Sequence, residues 1–390
     1  MEKVIIEQVK ISKFKNLIDV QYQFDPKSKV IIFKGRNGIG KSNMLNSMYW
    51  CLTGVDLNNS SQTEDFIPKK LREEYGTVVD VEVKLNVLKI RRKIERTTKG
   101  LSESLILNDI PTETLKAGEI EIDSKLGLLP YTLSSFSNKD FSMRRFVLNP
   151  NYIYSLSPKA MRDVVVKRYS TKCDPKFNIE ILNKSLVENT FKEYANEDDT
   201  FSYLTLCGSI AKAQSLFKSL KDQNEMLKTA GIVIATLKNC DTTVVQERIE
   251  ELYNDSLKRI NKVDSQLKVL DMAKLEFEKK FCEIAKEDNP LINFELITTN
   301  SKGVEKSTFE ITSNDIEVRQ RSTSESIFDG INMIQEYFIA VGFDGALPLF
   351  IDKAESIDSS KLITLFSGER QIFATQVQDR NDIKMEVESL

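Results

Sequence analysis

The pattern of apolar and polar positions opens with two strands, Val4–Ile11 and Leu17–Phe24, joined around Lys13-Phe14-Lys15-Asn16. The uninterrupted apolar run Val30-Ile31-Ile32-Phe33 predicts a buried strand. Helical spacing follows: Met44, Leu45, Met48 and Leu52 share one face, and Gly54 stands near the helix end. Alternation returns over Thr77–Val87 and Val87–Thr97, predicting an antiparallel pair, and short strands with turn residues continue through Leu101–Ile122. Asn149-Pro150-Asn151 marks a turn, and Ser157-Pro158 opens a helix with proline at its first position.

From about Leu204 to Lys286 glycine and proline become scarce and helix formers dominate. Ile260, Val263, Leu267, Leu270, Phe277, Phe281 and Ile284 recur at alternating three- and four-residue steps, with Lys274 as the polar break. That is a heptad pattern of about three to four repeats. Ala211–Leu237 is its antiparallel partner, turning near Asn239-Cys240-Asp241. The segment reads as a helical hairpin, a short coiled coil or a pair of ordinary packed helices. Strand patterns resume at Asn293–Thr298 and Ser307–Thr312, then at Leu347–Ile351, Gln371–Val377 and Ile383–Val387. The fold class is therefore α/β, in three spans: 1–203 with a first lobe, 204–288 helical, and 289–390 with a second lobe.

The turn between the apolar strand and the first helix carries the chemistry. Gly35-Arg36-Asn37-Gly38-Ile39-Gly40-Lys41-Ser42 fits the G-x-x-x-x-G-K-[ST] phosphate loop. Glycines let backbone N–H groups turn inward on phosphate oxygens, and the helix start, including Asn43, adds its positive dipole end. Lys41 can reach the β- and γ-phosphates, and the Ser42 hydroxyl can ligate Mg²⁺. A chance Gly-rich turn is the bland alternative, but strand, loop and helix occur here in the required order.

Composition narrows the classes. The 390 residues carry 55 basic and 58 acidic side chains, a net charge of −3 that is silent about nucleic acid. No apolar run of about 18 residues exists to span a membrane, and MEKVIIEQVKISKF lacks a signal-peptide core. Five scattered cysteines, never paired as C-x-x-C, read as reduced thiols of a cytoplasmic protein. Histidine is absent altogether, which excludes Ser-His-Asp triads, Cys-His pairs and His-ligated metal centres within this chain.

The run Leu347-Pro348-Leu349-Phe350-Ile351 reads as a buried strand ending in Asp352, the expected place for a carboxylate that holds Mg²⁺. Thirty positions upstream, Ser322 and Glu325 form a capping box that opens a helix from Ser326 to about Ala340. With the phosphate loop upstream and a helical insert between, the sequence resembles the ATP-binding-cassette heads of the structural-maintenance-of-chromosomes and double-strand-break-repair ATPases, and among these compact phage-like members. The resemblance also rests on Ile11-Ser12-Lys13-Phe14-Lys15-Asn16-Leu17. It implies that Ser322 meets the γ-phosphate of a nucleotide held by an opposite subunit, and that Asn149 stands near the Q-loop position as a Mg²⁺ and water contact. It also implies that Asp358 serves a D-loop.

The sequence departs from the family in three places. Thr323 and Ser324 replace glycines after Ser322, Lys353 stands where the catalytic glutamate directly follows Asp352, and the switch histidine is missing. Glu355 is the nearest carboxylate to orient water, and Gln376 (or Val377) is nearest to the switch position. Lys89, Arg91, Arg92, Lys93 and Arg96 gather cations on one strand, with Lys139, Arg144 and Arg145 as a second cluster. Each group is either a sequence-independent DNA-phosphate contact or a solvated face. The resemblance implies an ATP- and Mg²⁺-dependent ATPase acting on DNA through ATP-dependent homodimerisation, with a separate nuclease subunit as a partner, and the departures at Lys353 and the missing histidine make slow hydrolysis the expectation. The alternative is an ATP-gated clamp or interaction protein with negligible hydrolysis. A P-loop nucleotide kinase fits less well, given the far-downstream Asp352 and the helical insert.

Overall fold

The computed structural model describes residues 3–128, 142–157, 162, 184–197, 199, 201–236, 243–288, 292–299, 303, 305–313, 316–317, 325–331, 346–354, 370–377 and 385–389. In chain order these include β1 (Ile6–Phe14), β2 (Leu17–Gln23), β3 (Val30–Gly35), α1 (Lys41–Thr53), β4 (Val78–Leu85), β5 (Lys89–Thr97), β6 (Gly100–Leu107) and β7 (Ile110–Pro111). Next come the helices α2 (Leu115–Lys125), α3 (Met143–Leu148), α4 (Tyr152–Ser155), α5 (Lys184–Lys192), α6 (Tyr203–Thr236) and α7 (Thr243–Asp288). The strands β8 (Ile292–Thr299), β9 (Glu305–Ser313), β10 (Ile316–Glu317), β11 (Leu349–Ile351), β12 (Ile372–Val377) and β13 (Glu386–Ser389) complete the series. The chain divides into two compact units: Met1–Val164 with Ile311–Leu390, and Val165–Glu310.

The first unit holds two sheets. An antiparallel sheet runs β2-β1-β4-β5-β6-β7. Its alternation is clean on β4, where Val79, Val81, Val83 and Leu85 are buried, and on β5, where Ile90, Arg92 and Ile94 face inward. On β1 the alternation is offset by register shifts between Ile6 and Gln8 and between Ile11 and Lys13, so Ile6, Val9, Ile11 and Phe14 are the buried set. The second sheet runs β11-β12-β3-β13, with β12 parallel to both its neighbours and β13 antiparallel to β3. Val30, Ile31, Ile32 and Phe33 are all buried, as a central strand covered on both faces requires. Helix α1 touches strands of both sheets, which explains why Met44, Leu45 and every residue from there to Thr53 are buried.

The two chain ends are stitched together locally. Val4 donates its N–H to the Ala346 carbonyl at 2.9 Å, and the buried Gln371 amide exchanges two bonds with the Ile6 backbone. The predicted strands at Leu347–Ile351 and Gln371–Val377 form as β11 and β12, and the last, expected at Ile383–Val387, begins three residues later as β13. One expected strand region is instead helical. The Thr114 hydroxyl accepts the Ala117 N–H and starts α2 within the segment read as strand-rich. Gly118 is needed there, because a Cβ would fall 2.5 Å from Leu105.

The second unit contains the helical hairpin. Its predicted heptad positions Ile260, Val263, Leu267, Leu270, Phe277 and Phe281 are buried, with Leu206, Ile210, Ala213 and Leu220 buried on α6. Tyr203 packs its ring 4.9 Å from that of Phe281 and donates its hydroxyl to Glu278, a wholly buried carboxylate, at 2.7 Å. Helices α6 and α7 lie within this unit, which runs from Val165 to Glu310. No described helix is long and apolar enough to cross a membrane.

Candidate functional site

Three parallel strands end at one edge of the second sheet: Gly35 of β3 lies opposite Val377 of β12, and Ile351 of β11 opposite Ala374. Crevices outside the carboxyl ends of parallel strands are where α/β sheets bind ligands. Gly40, with φ at 111°, forms the sharp entry to α1 and accepts the Met44 N–H at 2.9 Å. A Cβ on it would sit 3.0 Å from the Leu17 side chain, so glycine is required on both counts. Gly38 also holds a left-handed φ of 84°. The Lys41 ammonium is buried beneath the loop and donates to the carbonyls of Gly35 and Arg36, each at 2.8 Å. Asn43 donates to the Asn16 side chain at 2.6 Å and ties the helix start to the β1–β2 turn.

The second wall comes from residues more than three hundred positions away. The Ser42 hydroxyl donates to Asp352 Oδ1 at 2.8 Å, and the Thr375 hydroxyl donates to the same oxygen at 2.8 Å. The Thr375 oxygen in turn accepts the Lys353 N–H at 2.9 Å. Lys353 adopts a left-handed φ of 59°, turning the chain off β11. The cavity between these walls measures about 230 Å³ and is lined by Asn37, Gly38, Gly40, Lys41, Ser42 and Asn43 on one side and Lys353, Thr375 and Val377 on the other.

The donor set suits a hard cation. One carboxylate oxygen with the hydroxyls of Ser42 and Thr375 around it is the chemistry of Mg²⁺, an ion that relies on few protein ligands and completes its shell with phosphate oxygens and water. No group of three or more Cys, Asp or Glu side chains gathers for a metal among the described residues.

The far end of α1 is held by two buried guanidiniums. Arg92 Nε donates to the Cys51 carbonyl at 3.2 Å, and an Arg144 nitrogen donates to the Leu52 carbonyl at 2.6 Å. Cations at a helix C-terminus oppose its negative dipole end and satisfy carbonyls that lack intrahelical donors. Arg92 also pairs with Glu103 at 2.8 Å and with Glu119, while Arg144 pairs with Glu119 at 2.6 Å and Asp123 at 2.8 Å. Burial alone would raise the Glu119 carboxyl, but Arg144 and Arg92 outweigh it and hold it at about 2. Burial raises Asp123, only partly offset by Arg144. The same helix thus points its N-terminal amides at the cavity and has its C-terminal carbonyls neutralised.

Several expected residues sit elsewhere. Gln376 lies between Thr375 and Val377, which both line the cavity, so strand alternation turns it to the opposite face of the sheet; its Oε1 is buried there with no hydrogen-bond partner among the described residues. It is therefore not on the cavity wall, and the residues facing the site from β12 are Thr375 and Val377, the second being the other position named for the switch. Arg36 and Ile39 belong to the loop but not to the cavity lining. Asn149 is buried, donates to the Leu57 carbonyl at 2.8 Å and accepts the Asn151 N–H at 3.0 Å, so its side-chain amide is committed to the turn. Ser322, Glu355, Asp358 and Lys139 lie outside the described residues.

The cation stripe of β5 is also revised. Arg92 is 2% exposed and cannot present its guanidinium to a nucleic-acid phosphate; Arg144 of the second cluster is likewise buried. The outward set is paired: Lys89 with Asp109 at 2.8 Å, Arg91 with Asp80 at 2.6 Å, Lys93 with Asp80 at 3.7 Å and Arg96 with Glu64 at 2.5 Å. The sequence pattern recorded the cations without the acids that meet them on neighbouring strands. Thr375 was missed because it stands in an otherwise buried apolar strand, where a hydroxyl gives no signal.

A family model described as an AAA domain matches residues 8–293. Among solved structures, a recombination mediator protein RecF bound to ATP in the RecFOR pathway is 14% identical, with a TM-score of 0.41, covering 100% of this chain and 98% of that one. The Smc head domain with an extended coiled coil from Pyrococcus furiosus, bound to the C-terminal domain of ScpA, is 17% identical, with a TM-score of 0.42, covering 99% and 96%. The Smc head domain with a coiled coil and joint from Pyrococcus yayanosii is 14% identical, with a TM-score of 0.42, covering 99% and 97%. Overlaps this low say nothing of substrate or partner. No curated protein matches the chain.

Proposed function

We propose, because the chain belongs to the AAA domain family, that it binds and hydrolyses ATP at the cavity between the Gly35–Ser42 loop and the ends of β11 and β12. The observation that carries the reading is the meeting of Ser42 and Asp352 at 2.8 Å across 310 positions of sequence. A hydroxyl at a helix N-terminus beside a buried-strand carboxylate is the pair that positions Mg²⁺ against the β- and γ-phosphates in phosphate-loop enzymes. Loop amides and Lys41 would bind the phosphates, Ser42 and Asp352 would hold the ion, and Thr375 would fix the carboxylate's orientation. The ion supplies charge neutralisation at the phosphates when bound. Glu355 is the proposed water-orienting carboxylate, with Ser322 and Asp358 contributing to a nucleotide held by a second copy.

In this reading ATP bridges two heads, ADP releases them, and the α6–α7 hairpin moves with that cycle to act on DNA in repair, recombination or replication. The resemblance of the sequence to chromosome-maintenance and break-repair heads supports the DNA assignment and, by the same analogy, a separate nuclease subunit; with no histidine here, His-dependent cleavage would fall to that subunit. A second reading, an ATP-gated clamp with negligible turnover, is favoured by one observation: the residue after Asp352 is Lys353, which cannot serve as a general base while charged. Phosphate release by the purified chain, with and without DNA, tests the proposal. Multiple turnovers lost in Lys41→Ala support the enzyme, whereas ATP binding without release supports the clamp.

A further inference from the structure

We propose that Lys353 is a ligand of the terminal phosphate of ATP, a second cation standing across the cavity from the phosphate loop. The inference rests on the ATP-site reading above and adds a specificity-determining residue to it. Among the described residues, the nine that line the cavity include two lysines, Lys41 and Lys353, and no carboxylate, a lining that suits a polyanion. The two cations differ in origin and therefore in reach. Lys41 enters from beneath the loop that its own ammonium braces at the Gly35 and Arg36 carbonyls. Lys353 comes from the opposite wall, at the ends of β11 and β12, where the phosphates of a bound nucleotide would extend beyond the loop.

Two features fix Lys353 where it stands. Its backbone holds a left-handed φ of 59°, a conformation that side-chain-bearing residues adopt only when the surroundings impose it. The imposing contact is visible: its N–H is donated to Thr375 Oγ1, whose own hydrogen goes to Asp352 Oδ1, the oxygen that also receives Ser42. The candidate ion-holding pair and the base of Lys353 are thus one hydrogen-bonded unit. Among the described residues the Lys353 ammonium has no ion-pair partner, in contrast to the cations of β5. An exposed cation on a rigidly held backbone at the wall of a phosphate cavity, uncompensated among the described residues, discriminates nucleotides by charge: it gains a partner only when a third phosphate is present.

The test is calorimetric titration of the full chain with ATP and with ADP, each in the presence of Mg²⁺, for the wild type, Lys353→Ala, Lys353→Arg and Lys41→Ala. Lys353→Ala is expected to weaken ATP about tenfold, the loss of one charge-assisted contact, while ADP stays within about twofold. Lys353→Arg should retain most of the preference for ATP, and Lys41→Ala should weaken both nucleotides. Retained ADP affinity shows that Lys353→Ala is folded. An unchanged ATP-to-ADP ratio in Lys353→Ala, or equal loss of both, overturns the assignment and leaves the ATP site standing. A wild-type chain that binds neither nucleotide overturns the site and the assignment together.

Discussion

Replacing Arg92 by leucine separates two roles that the sequence left open for it. The guanidinium is 2% exposed, donates to the Cys51 carbonyl at the end of α1, and pairs with Glu103 and Glu119. Removing one partner of a buried ion pair costs about 3–5 kcal/mol, because the charge left behind is neither solvated nor compensated. Here the lower figure applies. Glu119 keeps Arg144, and the side chains of Glu103 and Glu119 are 19% and 28% exposed, so both retain some access to water. Loss of the contact at the helix C-terminus adds up to about 1 kcal/mol. A loss of about 3–4 kcal/mol in a unit of this size lowers Tm by on the order of 10 °C. Thermal and urea unfolding of the full chain measure it. In a double-mutant cycle with Glu119→Gln, the two changes should couple by at least about 1 kcal/mol. A loss below about 1 kcal/mol, or intact stability with diminished DNA affinity, would show that the guanidinium faces solvent and would refute the buried clamp.

Two further predictions follow from the same unit. The folded Glu119 carboxyl is held at about 2 against an ordinary 4.5, so its contribution to stability is full above pH 4.5 and disappears as pH falls toward 2. The stability gap between wild type and Glu119→Gln, followed by urea unfolding across that range, should therefore close on acidification; a gap independent of pH contradicts the ion-pair account. Gly40→Ala combines a φ of 111° with a Cβ 3.0 Å from Leu17, and should cost about 1–2 kcal/mol while weakening nucleotide binding. A substitution neutral in both melting and calorimetry would mean that the loop does not need its glycine.

Much of the fold was legible because its signals are local. The apolar Val30–Phe33 run, the phosphate loop and the Met44–Leu52 face announce a strand, turn and helix within 25 residues, and burial of α1 between two sheets agrees with them. The heptads of α7 were equally plain, since a three-and-four spacing survives whatever it packs against. What escaped depends on distant partners. Helix α2 is set by a single cap, Thr114, and by the room Gly118 leaves for Leu105, neither of which alters periodicity. Arg92 and Arg144 read as surface charge because Glu103, Glu119 and Asp123 reach them only through tertiary structure. Gln376 and Val377 stood as alternatives for one role because the identity of β12 was clear, while which of its faces meets the cavity, the one carrying Val377, depends on register against β3.

The central claim is that the Gly35–Ser42 loop and Asp352 serve one magnesium-bound triphosphate. Titrating ATP into the wild type and into Asp352→Asn, with Mg²⁺ and then with chelator, tests it most directly. Tight binding that falls at least about tenfold on removing Mg²⁺, with Asp352→Asn weak in both conditions, is the predicted result. Magnesium-dependent binding that is equally strong in Asp352→Asn would contradict it.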